Sequence, residues 1–152
     1  MKTIFNLFRL NFLPKSPDLA LLVLRLWIGA SMLLLHGWTK IRDFSTFQKD
    51  FIDLLGMGKP ASLALCIFAE TVCSVLLAAG LFTRFAALCG AINMGVAFYV
   101  VHNMDLKLGA GGTGEMAFLY LAAYVTLFIA GGGRFGFDQQ APAKRRPRPS
   151  QD

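Results

Sequence analysis

The chain has 152 residues, of which 55% are hydrophobic and 16% are charged, and its net charge is +6. A soluble domain of this length needs more charge on its surface, so the composition excludes that class and predicts one membrane domain. The basic residues lie mostly outside the apolar runs, a pattern that orients membrane proteins and gives no reason to expect nucleic-acid binding.

The N-terminal segment, residues 1–18, is predicted to be amphipathic and cytoplasmic. Phe5, Phe8 and Phe12 fall on one side of it, and Pro14 ends the pattern. The segment lacks the long apolar core and the small-residue cleavage site of a signal peptide, so we expect membrane insertion to depend on the internal segments.

Four apolar segments follow, and each approaches the thickness of a bilayer core, which needs about 20 helical residues. They cover roughly residues 19–35, 61–82, 85–101 and 115–130. We therefore predict an all-α fold, an integral membrane four-helix bundle that occupies residues 19–138.

An amphipathic helix is predicted at the membrane interface between the first two spans. Its apolar positions recur at helical spacing, at Phe44, Phe47, Phe51 and Leu54, and mostly polar residues fill the other face. Gly56 ends the pattern. The later connections are a tight hairpin at Thr83 and a glycine-rich loop, and residues 139–152 form a basic tail that we expect to be disordered and cytoplasmic.

The distribution of Lys and Arg predicts that both termini are cytoplasmic. Four spans place the termini on one side, which then carries nine basic residues against five on the other. An excess of basic residues marks the cytoplasmic side. We therefore expect a multi-pass membrane protein whose N- and C-termini both lie in the cytoplasm.

Two charged residues, Arg25 and Glu70, lie inside the predicted spans. Each costs about 2.5–3.5 kcal/mol at mid-span unless it finds a partner or a polar cavity. Helical spacing puts Arg25 on a stripe that continues to His36 and Lys40, and Glu70 on a face with other polar residues. The predicted intramembrane polar site comprises Arg25, Glu70, Cys66, Cys73 and Ser74. Either the two charges lock the helices in register, or the group lines a ligand, quinone or proton site.

The topology predicts a second polar cluster at the outer face, consisting of His36, Lys40, His102 and Glu115. Two His beside carboxylates and nearby Met side chains could hold a soft metal such as copper or relay protons to a quinone. The plainer alternative is ordinary interfacial residues. Because no HxxxH or CxxC spacing occurs, a metal site there rests only on the speculative pair of His36 and His102. The three cysteines fit small apolar packing residues.

Three stretches carry a family resemblance: RLWIGASMLLLHGWTKI, FAETVCSVLLAAGLFTR and GTGEMAFLYLAAYVTLFIAGGGRFGFD. In this order and spacing they resemble the DoxX family of small bacterial inner-membrane proteins. The resemblance implies a four-helix membrane bundle and a link to redox work, which in this family includes a quinone-reducing thiosulfate oxidase, oxidative-stress complexes and, in some clusters, copper handling. It assigns no catalytic residue. The sequence shows no thiol pair for disulfide exchange, which argues against a stand-alone thiol oxidoreductase.

The expected function is the membrane subunit or anchor of a quinone-linked or oxidative-stress redox system. The alternative is a non-enzymatic membrane protein that handles copper or another small solute. Expected partners are the lipid bilayer and other protein subunits, with a homo-oligomer left open. As cofactor, a quinone is favoured over copper, and its site would need an aromatic-lined pocket open to lipid. The candidate aromatic residues are Trp27, Trp38, Tyr120 and Tyr124.

Overall fold

The structure, a computed structural model, describes residues 16–106 and 114–139. Most of the predicted N-terminal segment, the central part of the glycine-rich loop and nearly all of the basic tail lie outside these residues. The described part contains helices and no strand, so the predicted all-α class is confirmed.

Five helices make up the described chain, with one turn of 3-10 helix at Phe137–Gln139. The helices are α1 Pro17–Arg42, α2 Phe44–Asp50, α3 Lys59–Ala79, α4 Thr83–Val101 and α5 Glu115–Ala130. By length and composition α1, α3 and α4 could each cross a membrane, and α5 is a shorter apolar helix.

Helix α1 begins at a capped turn and extends beyond the run that predicted it. The Ser16 hydroxyl accepts a hydrogen bond from the backbone N–H of Leu19 (3.2 Å), and Pro17 occupies the first turn. The helix passes through a π-helical stretch, Met32–Gly37, and continues to Arg42. No proline interrupts residues 36–42, and the helix continues through Gly37.

Helix α3 is irregular at Thr71, whose φ of −114° and ψ of −69° depart from the usual helical values. The Thr71 hydroxyl donates to the carbonyl of Ile67 (2.6 Å), which occupies an acceptor at the break. The helix ends at Gly80 with φ +73°, a left-handed conformation that glycine adopts readily. Thr83 begins α4 directly afterwards, as predicted for a tight hairpin.

Helix α2 is shorter than the predicted amphipathic helix. It ends at Asp50, and Phe51 is extended with φ −69° and ψ 152°. Side chains bind the backbone beyond it: the Asp53 carboxylate accepts from Gly58 N–H (2.8 Å), and the Ser62 hydroxyl accepts from Leu54 N–H (2.9 Å). Phe51 and Leu54, which the pattern placed on the amphipathic helix, therefore lie beyond the end of α2.

The helices pack around one core, whose buried members come from α1, α3, α4 and α5. Helix α4 packs along α5, α1 packs against the second half of α3, and α3 and α4 form an antiparallel hairpin. We name the end of the molecule at Gly80–Thr83 the hairpin end, and the end at 43–58 the loop end.

Candidate functional site

Near the loop end, the buried carboxylate of Glu70 forms an ion pair with Lys40. The Lys40 ammonium donates to both carboxylate oxygens, at 2.8 Å and 2.6 Å. The exposed fraction of the Glu70 side chain is 4%, and that of Lys40 is 17%. A buried ion needs such a partner, because an unpaired charge in this environment costs several kcal/mol.

Two further side chains complete the surroundings of the carboxylate. The Cys66 thiol donates to Glu70 Oε1 at 3.3 Å, and the Asn93 amide donates to the same oxygen at 3.4 Å. Residues from α1, α3 and α4 thus meet at one oxygen. Groups from three helices therefore fix the orientation of the carboxylate.

The close approach of α1 and α3 brings Lys40 within reach. A Cβ on Gly37 would lie 2.5 Å from Thr71 Cγ2 and 2.8 Å from the carbonyl oxygen of Glu70. Only glycine fits there without moving α3. Lys40 lies one helical turn beyond this contact, which places its side chain beside Glu70.

A cavity of about 420 Å³ adjoins the ion pair. Its polar lining includes Lys40, Cys66, Glu70 and Asn93, and most of the remainder is apolar, from the 51–54 segment, α3 and α4. Several apolar lining residues have exposed side chains, namely Leu65, Phe68, Ile92 and Val101. The space, which we name the ion-pair cavity, therefore opens sideways on the apolar surface between α3 and α4.

His36 lies beside this site without joining its hydrogen bonds. Its ring packs edge-to-face on Tyr120, with centroids 5.7 Å apart, and it interacts electrostatically with Glu70 and Lys40. Tyr120 in turn donates to the Ser31 hydroxyl at 2.9 Å. The stripe predicted from Arg25 to Lys40 thus includes the cation that pairs with Glu70.

Arg25 occupies a separate position near the hairpin end. Its Nη2 donates to the carbonyl of Phe135 at 2.6 Å, and only 1% of the residue is exposed. Within the described residues its Nε and Nη1 have no hydrogen-bond acceptor. Glycines surround the guanidinium, since a Cβ on Gly80 would overlap Nη1 and one on Gly136 would lie 2.8 Å from it. The structure therefore does not unite Arg25 and Glu70 in one site.

Asp138 holds the C-terminal segment against the hairpin. Its carboxylate accepts from the backbone N–H groups of Phe82 (2.7 Å) and Thr83 (2.8 Å), and its own N–H donates to the carbonyl of Gly80 (3.1 Å). Partial burial raises the pKa of this carboxyl, but the hydrogen bonds from Thr83 and Phe82 and the charge of Arg25 outweigh it, so the pKa is lowered. Asp138 thus caps the start of α4.

The remaining residues of the predicted intramembrane site divide between the cavity and the core. Cys66 lines the ion-pair cavity, whereas Cys73 and Ser74 are buried in the core at 1% exposure. The backbone of Ser74 lies against α1, because a Cβ on Gly29 would be 2.7 Å from its carbonyl oxygen.

The predicted outer-face cluster is only partly assembled around the ion pair. His36 and Lys40 lie there, His102 ends α4, and Glu115 begins α5. His102 lies near the start of α5, since a Cβ on Gly114 would be 3.0 Å from His102 Cβ. Within residues 16–106 and 114–139, no group of three or more His, Cys, Asp or Glu is arranged to hold a metal ion.

The aromatic residues proposed for a quinone pocket do not line the ion-pair cavity. Trp27 and Trp38 are exposed, Tyr124 is buried in the core, and Tyr120 contacts His36. Phe51 and Phe68 supply the aromatic lining instead. Phe51 was identifiable only as part of an amphipathic pattern, which gives no sign that the chain turns inward after α2.

The comparisons with known proteins agree with the sequence resemblance. A sequence model of the DoxX family matches residues 20–103. A Haemophilus influenzae protein, described as an uncharacterized protein, is 31% identical over 140 residues, which cover 86% of this chain and 97% of that relative. No solved structure matches the chain. The family match includes both members of the ion pair and all the described walls of the ion-pair cavity.

Proposed function

This chain belongs to the DoxX family of membrane proteins, and we propose that it is a membrane subunit of a redox system that binds a quinone in the ion-pair cavity. The observation that carries this proposal is the position of Lys40 and Glu70. They form a charged, hydrogen-bonded group in the wall of an apolar cavity that opens sideways.

The lateral opening favours a lipid-soluble ligand. About half of the surface of Leu65, Ile92 and Val101 is exposed at the edge of the cavity, at 51%, 60% and 49%. On a helix that spans the membrane, such surface contacts lipid chains, so a ligand enters from the bilayer without crossing the aqueous phase. A cavity of 420 Å³ also lies within the range of about 300–1,000 Å³ that is usual for small-molecule sites.

The polar lining fits the two oxygens and two protons of quinone chemistry. The Lys40 ammonium can donate a hydrogen bond to a quinone carbonyl, and the Glu70 carboxylate can accept a proton from a hydroquinone hydroxyl. Asn93 and Cys66 hold the carboxylate in place while Lys40 shifts between Glu70 and the ligand. The oxidised quinone would therefore have a hydrogen-bond donor in Lys40, and the reduced hydroquinone would have an acceptor in Glu70.

The proposed membrane arrangement has four spans and cytoplasmic termini. Helix α5 has 16 residues, about 24 Å of helix, which is short for a bilayer core of about 30 Å. Its packing along α4 supports a fourth span. The shortfall in length would be accommodated by local thinning of the bilayer or by the segments that flank the helix. Helix α2 would then lie at the outer interface, together with the mouth of the ion-pair cavity.

The proposal is tested with the purified full-length chain in lipid nanodiscs and a photoreactive azido-benzoquinone. After illumination, we expect mass spectrometry to locate the label on the cavity-lining parts of α3 and α4, with competition from excess unlabelled quinone. Glu70→Gln removes a charged hydrogen bond worth about 1.5–3 kcal/mol, so it should lower labelling about tenfold or more.

Arg42→Gln provides the matched control. Arg42 and Asp43 also form an ion pair, at 3.0 Å, but both are exposed and neither lines the ion-pair cavity. This variant should be labelled like the wild type. Two results would contradict a quinone site at the ion pair. One is labelling that excess unlabelled quinone does not reduce, and the other is an equal loss of labelling in Arg42→Gln and Glu70→Gln.

A further inference from the structure

The ion-pair cavity contains a thiol whose hydrogen-bond partner is the buried carboxylate. Cys66 is partly buried in the cavity lining, and its Sγ donates to Glu70 Oε1 at 3.3 Å. Lys40 binds the same carboxylate at 2.8 Å and 2.6 Å and orients it. A nucleophile, a base within hydrogen-bond reach and a third group that orients the base together form the usual arrangement of an activated nucleophile.

The contact between Cys66 and Glu70 follows from helical spacing. The two residues are four positions apart on α3, so their side chains lie on one face of the helix, one turn apart. Asn93 of α4 donates to the same carboxylate oxygen at 3.4 Å and adds a contact from the opposite helix. The thiol and its base are thus held together by a single helix, beside the open volume of the cavity.

The other two cysteines lack this arrangement. Cys73 is buried in the core at 1% exposure. Cys89 also lines the ion-pair cavity, but among the residues that the structure describes no carboxylate accepts a hydrogen bond from its thiol. Cys89 therefore provides an internal comparison, because it shares the cavity and its apolar entrance with Cys66 but has no base.

The spacing of Lys40 and Cys66 fits a conjugated carbonyl compound. The ammonium nitrogen and the sulfur lie 2.8 Å and 3.3 Å from one oxygen of Glu70, so they are within about 6 Å of each other. One small molecule can therefore place its carbonyl oxygen at the ammonium and its β-carbon at the sulfur. The mostly apolar lining and the sideways opening favour a molecule that is dissolved in the bilayer.

We propose that Cys66 adds covalently to conjugated carbonyl compounds that enter the ion-pair cavity from the bilayer, with Glu70 as the base. The S–H bond breaks and its proton passes to the Glu70 carboxylate, while the sulfur forms a bond to the β-carbon. The electron pair of the C=C bond moves to the carbonyl oxygen, where the Lys40 ammonium stabilises the enolate. The proton then passes from Glu70 to the α-carbon, so the product is a thioether and no oxidant is needed.

This activity shares the cavity with the proposed quinone site but does not depend on it. A quinone whose ring carbons are all substituted offers no open β-carbon, so it would bind beside Cys66 without forming the adduct. A conjugated carbonyl compound with an unsubstituted β-carbon would instead be retained. The same three side chains would thus release one kind of ligand and capture the other.

The test uses the reduced full-length chain in lipid nanodiscs and N-cyclohexylmaleimide, an apolar conjugated imide. Mass spectrometry after timed quenching gives the rate of adduct formation at each cysteine. At pH 7.5 we expect Cys66 to react at least tenfold faster than Cys89. Between pH 7.5 and 8.5 the rate at Cys66 should stay constant, because its proton goes to Glu70, whereas the rate at Cys89 should rise about fivefold or more with the thiolate fraction.

This pH range separates the thiols from the other groups around the site. Besides Glu70, the charged and titratable groups that face Cys66 are Lys40 and His36 of α1, and α4 contributes Cys89 and the uncharged Asn93. An ordinary imidazole has a pKa of about 6.5 and an ordinary ammonium of lysine about 10.4. Neither group therefore gives a steep change of rate between pH 7.5 and 8.5.

Glu70→Gln distinguishes a base from a structural neighbour, because the two roles predict opposite signs. Without the base, the reaction at Cys66 should slow about a hundredfold at pH 7.5 and become as pH dependent as the reaction at Cys89. A carboxylate that acts only through its charge disfavours the thiolate, so its removal would make Cys66 react faster. An unchanged rate at Cys89 shows that the variant is folded. Lys40→Met combined with Glu70→Gln has no unpaired charge and should be equally slow.

Further variants separate this inference from the proposed quinone site. Arg42→Gln should react like the wild type, since its ion pair does not line the cavity. Cys66→Ser should lose only the adduct at residue 66 and keep azidoquinone labelling. Equal rates at Cys66 and Cys89, or a faster reaction in Glu70→Gln, would overturn the inference whatever the azidoquinone result. Absence of azidoquinone labelling together with the expected kinetics at Cys66 would overturn only the proposed quinone site.

Discussion

Glu70 and Arg25 are both buried charges, but the protein accommodates them in opposite ways. Glu70 has a full ionic partner in Lys40, and the pair borders a 420 Å³ cavity. Arg25 has one backbone carbonyl as its acceptor in the described chain, and its guanidinium occupies space that side chains at Gly80 and Gly136 would fill. The two charges thus differ in their partners: one pairs with a cation beside a cavity, and the other binds a backbone carbonyl among glycines.

The largest effect is expected when the Lys40–Glu70 pair loses its cation. Lys40→Met leaves the Glu70 carboxylate buried without a charged partner, which should cost about 3–5 kcal/mol of folding free energy. The measurement is the thermal unfolding midpoint in detergent. Lys40→Met combined with Glu70→Gln should regain much of the loss, because the double variant has no unpaired charge.

Arg25 provides the control for this comparison of single and double variants. Arg25→Met and Glu70→Gln should have additive effects, because the two side chains belong to separate sites. If Arg25→Met rather than Lys40→Met couples to Glu70→Gln, the division into two regions is wrong.

A smaller loss is expected from filling the glycine packing around Arg25. Gly80→Ala places a methyl group onto the guanidinium at a position where φ is +73°, so it should cost about 2–4 kcal/mol. Gly95→Ala is the matched control, because nothing lies within 4 Å of its added Cβ. The control should unfold at the wild-type temperature or slightly above it. Equal midpoints for the two alanine variants would show that the Arg25 region is loosely packed.

The smallest of these effects concerns the carboxylate that caps α4. Asp138→Asn should lower stability by about 1 kcal/mol near neutral pH. The pKa of Asp138 is lowered in the folded protein, so its stabilisation is complete above the unfolded pKa of about 3.9 and disappears as pH falls through the folded value. The difference in free energy of unfolding between wild type and Asp138→Asn, measured by chemical denaturation, should therefore be constant from pH 5 to 7 and disappear below about pH 4. A difference that grows as the pH falls would contradict a lowered pKa for Asp138.

The sequence was sufficient to locate the helices. The run predicted at 115–130 coincides with α5, and the run at 85–101 differs from α4 only at its start. The apolar runs locate these helices because side chains that contact the core or the lipid must be apolar. The end of α2 was predicted less well, because the hydrogen bonds of Asp53 and Ser62 that shape the following segment depend on tertiary contacts.

The pairing within the candidate site was beyond the sequence for a geometric reason. Lys40 and Glu70 are thirty residues apart, and their meeting depends on how closely α1 approaches α3 at Gly37. The stripe of residues that joins Arg25 to Lys40 was visible at helical spacing, but depth along the helix decides which member reaches Glu70. The ion-pair cavity likewise arises from four separate segments and has no signature in any of them.

For the proposed quinone, the sideways opening of the ion-pair cavity determines which concentration controls binding. A molecule that arrives through the hydrocarbon is diluted in lipid rather than in water, so occupancy follows its mole fraction in the bilayer. A hydrophobic compound that is scarce in the whole cell can be abundant on that scale, and a weak intrinsic affinity then suffices. Under this proposal detergent tails and phospholipid chains would compete for the same entrance, so measured affinities should vary with the surrounding amphiphile.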